Sequence, residues 1–315
     1  MVRIAPTVVP YDSFDPAEDA EKLKAAMKGF GTDEEAIIAI IAKRSNSQRQ
    51  EIIQAYKNCY GKDLIKHLKK ELGGDFEDAV LALMTPSRDY IATELHDAIE
   101  GLGTDESTLI EILAGCSNDE IEEISEAYQR LYDTSLEDAI AGDTSGEFKN
   151  LLIALVQGSR KEGSSVDEEA AREDAETLYN AGEGAWGTDE SEFIKIMCRS
   201  SYAHLQEVQK VYKSLTGNSL KKAIEKEFSG PMEKALIAIL SCAKNEQKYY
   251  AKRLQSTMAG FGTSEKPMTR IIVSRSEIDL ADIKKEFQKK YETSLEDALA
   301  SEISGDFKRL LLALL

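Results

Sequence analysis

Apolar residues along the chain recur at helical spacing, and the same spacing returns four times. In the first stretch Ile37, Ile38, Ile40 and Ile41 crowd one side of a predicted helix. Ile52, Ile53 and Tyr56 mark a second, and Leu64, Ile65 and Leu68 a third. A fourth follows Gly74 and carries Phe76, Val80, Leu81 and Leu83, and one more precedes Gly29, from Ala17 to Met27. Apolar positions three and four apart bury one face of a helix. No stretch shows the alternation that a half-buried strand requires. The pattern predicts an all-α fold with five helices per unit. Thr32 is placed to cap the helix that carries Ile37, with Glu35 three residues on to complete a capping box. Asp33 and Glu34 complement the positive end of that helix.

The units keep one register. A Gly-Thr pair stands at Gly31-Thr32, Gly103-Thr104, Gly187-Thr188 and Gly262-Thr263, at spacings of 72, 84 and 75 residues. Nine positions after each glycine lie Ile40, Ile112, Ile196 and Ile271, and 25 after it Tyr56, Tyr128, Tyr212 and Phe287. Leu64, Leu136, Leu220 and Leu295 follow at 33, and Phe76, Phe148, Met232 and Phe307 at 45. Forty residues after each glycine stands an acid, Glu71, Asp143, Glu227 or Glu302, shortly before Gly74, Gly146, Gly230 or Gly305. Short solenoid repeats run to roughly 20–50 residues, so these are larger modules that fold alike and pack on one another. The expected division is a tail over 1–14 and repeats over 15–86, 87–158, 159–245 and 246–315. Gly158 to Glu169, rich in Gly, Ser and charge, is read as the linker between two halves of two repeats each.

Composition narrows the function. The net charge of −18 argues against nucleic acid as a partner and against a basic membrane patch. An acidic protein can still meet an anionic membrane through a divalent cation. Cys59, Cys116, Cys198 and Cys242 form no C-x-x-C pair and are expected as reduced, buried thiols on helices. His67, His96 and His204 share no metal or catalytic spacing. Met1 to Pro10 does not read as a signal peptide, and no apolar run approaches the ~18–20 residues a membrane span needs. The expectation is a soluble, intracellular protein. No nucleophile–base pair appears, so no enzymatic activity is expected.

The glycine loops and distant acids carry the chemistry. Gly29-Phe30-Gly31, Gly101-Leu102-Gly103 and Gly260-Phe261-Gly262 lie between helices, and the third loop, Gly182 to Gly187, is one residue longer. Glycine allows successive carbonyls to turn to one side. Calcium takes about six to eight oxygens, with carbonyls and a bidentate carboxylate as ordinary ligands. One carboxylate per site implies weak affinity, on the order of 10⁻⁴ M, until a lipid phosphate completes the site. The competing reading makes these loops plain helix caps; four loops with four co-registered acids favour metal. No EF-hand loop is present. Phe30, Leu102, Trp186 and Phe261 occupy the loop tips, either tucked on their own helices or inserted shallowly among lipid headgroups.

The stretches M-K-G-F-G-T-D-E (Met27 to Glu34), G-D-T-S-G (Gly142 to Gly146), A-G-E-G-A-W-G-T-D-E (Ala181 to Glu190) and V-S-R-S-E-I-D-L (Val273 to Leu280) closely resemble the annexin family. The resemblance covers nearly the whole chain from about Phe14. It implies four five-helix repeats packed as a curved disc that binds acidic phospholipids of the phosphatidylserine type through Ca2+. By position, the first site would use the carbonyls of Met27, Gly29 and Gly31 with Glu71, and the second those of Ile99, Gly101 and Gly103 with Asp143. The third would use Gly182, Ala185 and Gly187 with Glu227, and the fourth Met258, Gly260 and Gly262 with Glu302. Thr32 with Glu34, and Glu77, stand as secondary metal candidates. Pro231 and Ser264 depart from the usual residues beside the third and fourth sites. Glu94, Glu111 and Arg270 match part of a polar channel seen in annexins, while Ile91 and Cys116 replace a charged pair there. The resemblance further implies a cytoplasmic protein that is peripheral on membranes when calcium rises, with trimeric self-association on the membrane left open. The alternatives are a helical scaffold for protein partners and a calcium-permeable pore.

Overall fold

Capping residues and apolar registers together set the helices of the computed structural model, which describes residues 5–29, 31–260 and 262–315. The first repeat holds α1 (Pro16–Ala26), α2 (Glu34–Ile41), α3 (Asn46–Tyr60), α4 (Leu64–Glu71) and α5 (Gly74–Met84). The second holds α6 (Ser87–Ile99), α7 (Glu106–Leu113), α8 (Asn118–Tyr132), α9 (Leu136–Asp143) and α10 (Gly146–Val156). The third adds α11 (Glu168–Ala181), α12 (Glu190–Arg199), α13 (Tyr202–Thr216) and α14 (Leu220–Glu227). α15 (Gly230–Thr257) runs from the third repeat into the fourth, which continues with α16 (Glu265–Arg275), α17 (Leu280–Tyr291), α18 (Leu295–Glu302) and α19 (Gly305–Leu314). Asn245 breaks α15 with non-helical angles, and its Oδ1 accepts from Lys248 N at 2.7 Å, so two helices meet end to end there. The four repeats thus have five helices each, and the described residues contain no strand.

The shared apolar positions form the cores. The register isoleucines, aromatics and leucines (Ile40, Tyr56, Leu64 and their counterparts) are all buried, as are Phe76, Met232 and Phe307, while Phe148 is half-buried. Removing a fully buried leucine such as Leu64 to alanine would cost about 2–5 kcal/mol. One capping assignment is corrected. α2 is capped by Asp33, whose Oδ1 accepts from Ala36 N at 3.0 Å, and Asp105 and Asp189 cap α7 and α12 in the same way. The cap lies one residue beyond Thr32, because the short carboxylate reaches the free amides and the threonine hydroxyl is engaged elsewhere.

The chain forms two compact units, one taking the sequence to Tyr90 and from Tyr250 to Leu315, the other Ile91–Tyr249. Repeats one and four therefore share a unit, as do two and three. In the first unit α19 packs on α2 and α5, and α16 on α5. Glu277 Oε1 accepts from Asn46 N at 2.6 Å and from Arg49 Nη1 at 3.3 Å. Burial lowers the Arg49 guanidinium to about 10, with Glu277 opposing that shift. The N-terminal segment straps the same unit: Thr7 N and Val8 N donate to Ser276 O at 2.9 and 3.0 Å, and Ala5 N donates to Asp282 Oδ2 at 2.8 Å. In the second unit α10 packs on α12.

The expectation that Gly158 to Glu169 divides two halves is likewise corrected. It is a strap inside the second unit. Asn118 Nδ2 donates to Arg160 O at 2.8 Å, Lys161 N donates to Arg199 O at 2.8 Å, and the Arg160 guanidinium donates to Ser200 O at 2.7 Å. The thiols also differ from expectation. Cys198 and Cys242 are buried, Cys116 is half-buried in the turn after α7, and Cys59 is exposed on α3. Burial pushes the Cys198 thiol up to about 12, which leaves it unreactive.

Candidate metal centre

The four loops close by one backbone bond in common. Asp33 N donates to Ala26 O at 2.9 Å, Asp105 N to Ala98 O at 2.8 Å, and Ser264 N to Thr257 O at 2.9 Å. In the third repeat Asp189 N reaches Ala181 O at 2.7 Å across one additional residue. Within these closed loops Gly29 and Gly31 have φ of 119° and 93°, Gly101 and Gly103 102° and 93°, and Gly260 and Gly262 116° and 96°. A Cβ added at any of the six would meet no atom within 4 Å. Backbone angle, not crowding, therefore requires glycine here. The side chains of Met27, Ile99 and Met258 are buried, so only their main chain is left to face a ligand.

Each acid ends a helix: Glu71 closes α4, Asp143 α9, Glu227 α14 and Glu302 α18. The threonine of each Gly-Thr pair reaches across the interval to meet it. Thr32 Oγ1 donates to Glu71 Oε2 at 3.3 Å, Thr104 Oγ1 to Asp143 Oδ2 at 2.6 Å, and Thr188 Oγ1 to Glu227 Oε2 at 2.8 Å. Thr263 Oγ1 lies 3.4 Å from the Glu302 carbonyl oxygen. Loop and acid are thus neighbours in all four repeats. In the first three the hydroxyl fixes one carboxylate oxygen and leaves the other lone pairs for a further partner.

The threonine–acid bond was not read from the sequence, although the constant threonine beside the constant glycine signals it. A second missed partner is His67, one helical turn before Glu71. Its Nδ1 lies 2.6 Å from Tyr56 Oη and its Nε2 3.9 Å from Glu71 Oε1. Burial, with Lys24 close by, lowers the imidazole below its ordinary range. Tyr128 meets His96 at 3.1 Å, and Tyr212 donates to Glu183 at 3.0 Å. The same buried tyrosine therefore finds a different partner in each of three repeats.

Leu102 and Trp186 stand wholly in solvent, at 108% and 107% of reference exposure, and are not tucked on their own helices. Phe30 and Phe261 lie outside the described residues. Glu34 and Glu77 are half-buried on the first turns of α2 and α5, and the Thr32 hydroxyl points to Glu71. Glu94 and Glu111 are buried in the second unit and Arg270 in the first.

A cation fits this donor set. Among the described residues no three His, Cys, Asp or Glu side chains converge on one point. The closed loops put backbone oxygens beside a helix-ending carboxylate, and such an oxygen set would suit a hard ion such as calcium rather than zinc. Among the described residues, no helix is long and apolar enough to cross a membrane.

The Annexin family model matches this chain over residues 18–83, 90–155, 173–239 and 249–314. Human annexin A13 is 48% identical over 302 residues, covering 96% of each chain. The solved structure of annexin III superposes with a TM-score of 0.96 at 41% identity, covering 100% of this chain and 98% of that one. Calcium-bound annexin (Sm)1 superposes with a TM-score of 0.87 at 33% identity, covering 99% and 93%. Four closed glycine loops, four helix-ending acids and a match over every repeat lead to one conclusion: the chain belongs to the annexin family.

Proposed function

We propose that the chain is a cytoplasmic protein that docks reversibly on acidic, phosphatidylserine-type membranes when calcium rises. Calcium-dependent phospholipid binding is a general property of annexins, and calcium is the ion they hold. In each repeat the loop carbonyls and the helix-ending acid would hold the ion: Met27, Gly29, Gly31 and Glu71; Ile99, Gly101, Gly103 and Asp143; Gly182, Ala185, Gly187 and Glu227; Met258, Gly260, Gly262 and Glu302. Bound calcium supplies the positive charge that links protein oxygens to lipid phosphate. The chain's part is to orient oxygens, and in the first three repeats the threonine hydroxyl does this by holding the acid against its loop. Thr32 with Glu34, and Glu77, are the secondary positions. Leu102 and Trp186, already in solvent, would enter the headgroup layer, where indole is favoured. Four weak sites acting together sharpen the response to calcium.

The observation that carries this reading is the meeting of threonine with a helix-ending acid thirty-nine residues on, through its carboxylate in the first three repeats and through its main-chain carbonyl in the fourth. Co-sedimentation with phosphatidylserine vesicles tests it, beside a variant with alanine at Glu71, Asp143, Glu227 and Glu302. The expected result is pelleting with calcium and not with chelator, and loss of pelleting in the variant. Pelleting in chelator, or an unimpaired variant, would overturn the mechanism.

A further inference from the structure

The strap that begins at Gly158 carries an arch. At one foot Arg160 and Lys161 are tied to the start of α8 and the end of α12. At the other foot Asp167 caps α11, its Oδ1 accepting from Glu169 N at 3.0 Å and Ala170 N at 3.1 Å. Between the feet the chain has no helix, and every residue from Lys161 to Glu169 is exposed. Gly163 turns the arch with a φ of 102°, and a Cβ there would meet no atom within 4 Å. The arch therefore stands off the body of the second unit.

Its sequence is Gly163-Ser164-Ser165-Val166-Asp167-Glu168-Glu169. A hydroxyl with an acid three residues on occurs elsewhere in the chain, because that spacing also starts capped helices. In those places the hydroxyl is engaged or covered. Ser117, Ser135 and Ser294 cap their helices, Thr144 Oγ1 donates to Ile140 O at 2.6 Å, and Ser276 is buried. Ser165 instead stands exposed outside any helix, followed by Asp167, Glu168 and Glu169. For Ser164 the acid three residues on is Asp167, whose carboxylate is engaged in its cap. An accessible serine followed by acids suits an enzyme that transfers phosphate and reads its substrate with basic side chains.

The arch is also remote from the glycine loops. α12 starts at Glu190, beside the third loop, and ends at Arg199, whose carbonyl holds Lys161 N. Its 10 residues separate the two ends by about 15 Å.

We propose that Ser165 is a phosphorylation site for a serine kinase that selects acidic residues after the serine, and that it stays open while the glycine loops face a membrane. The second half of this rests on the membrane reading of the loops, and the first half does not. The step is a single transfer. Ser165 Oγ attacks the γ-phosphorus of ATP, the bond from that phosphorus to the β–γ bridging oxygen breaks, ADP leaves, and the hydroxyl proton passes to the kinase's base. The phosphate adds about −1.5 to −2 of charge just ahead of the Asp167 cap, where the positive end of α11 offsets repulsion from the acids around it.

Incubation with an acidophilic casein kinase and magnesium ATP should add one phosphate per chain by intact mass, mapped to Ser165 by peptide fragmentation. Ser165→Ala should abolish most of the incorporation, and Ser164→Ala should not. Glu168→Gln with Glu169→Gln, which leaves the Asp167 cap in place, should slow incorporation about ten-fold through lost charge pairing with the kinase. No phosphate, or a phosphate that survives Ser165→Ala, would overturn the site. Protein bound to phosphatidylserine vesicles in calcium should take phosphate as fast as free protein at the same calcium concentration. Protection on the vesicles would overturn the open orientation. If the chain ignores the vesicles yet takes phosphate at Ser165, the site stands and the membrane reading falls.

Discussion

A threonine before an acidic pair can cap a helix or donate to a distant carboxylate, and local sequence treats the two alike. At Thr32 the capping-box pattern is satisfied by Glu35, yet Asp33 takes the cap and frees the hydroxyl for Glu71. The acids and glycines were legible because they recur at fixed spacing. The bond joining them was not, since it spans residues thirty-nine apart that no helical period relates. The shortest such bond, Thr104 to Asp143 at 2.6 Å, gives the sharpest test. In a background with alanine at Glu71, Glu227 and Glu302, Thr104→Val should raise the calcium needed for vesicle binding roughly five-fold, the worth of about 1 kcal/mol for a half-exposed charged hydrogen bond. Thr104→Ser should not. If Val and Ser behave alike, the hydroxyl does not orient the acid.

At the scale of the element, most helices were legible because their starts are written in short polar residues and their faces in the apolar register. Ser45 and Ser117 complete capping boxes with Gln48 and Glu120, and both helices end at a left-handed residue, Gly61 or Asp133. The junction at Asn245 was less legible, since nothing flanking it interrupts the helical pattern. Its backbone angles end one helix and its side chain caps the next. The reassigned cap of α2 can be checked by hydrogen exchange. Asp33→Ala should cost about 1 kcal/mol and speed exchange of the Ala36 amide. Thr32→Ala should leave that amide protected. Faster exchange in the threonine variant alone would return the cap to Thr32.

For the whole molecule, four repeats with nearly equal apolar faces leave the sequence neutral about which repeat pairs with which. The Gly- and Ser-rich stretch from Gly158 looked like a division because composition marks loops, and loops can equally be straps. Arg160 settles its role, since one guanidinium ties it to the carbonyls of Met197 and Ser200. The pairing of repeats one and four also bears on the order in which the chain is made. The second unit is a single run, Ile91–Tyr249, and has all its partners once that run has left the ribosome. The first unit has to wait, because α5 lacks α16 and α19 until the sequence beyond Tyr250 appears. A chain stopped at Tyr249 should therefore be cut by protease within the first repeat and spared within Ile91–Tyr249. Equal resistance of both would show that repeat one folds alone. The helices translated last are those that complete the fold of the helices translated first.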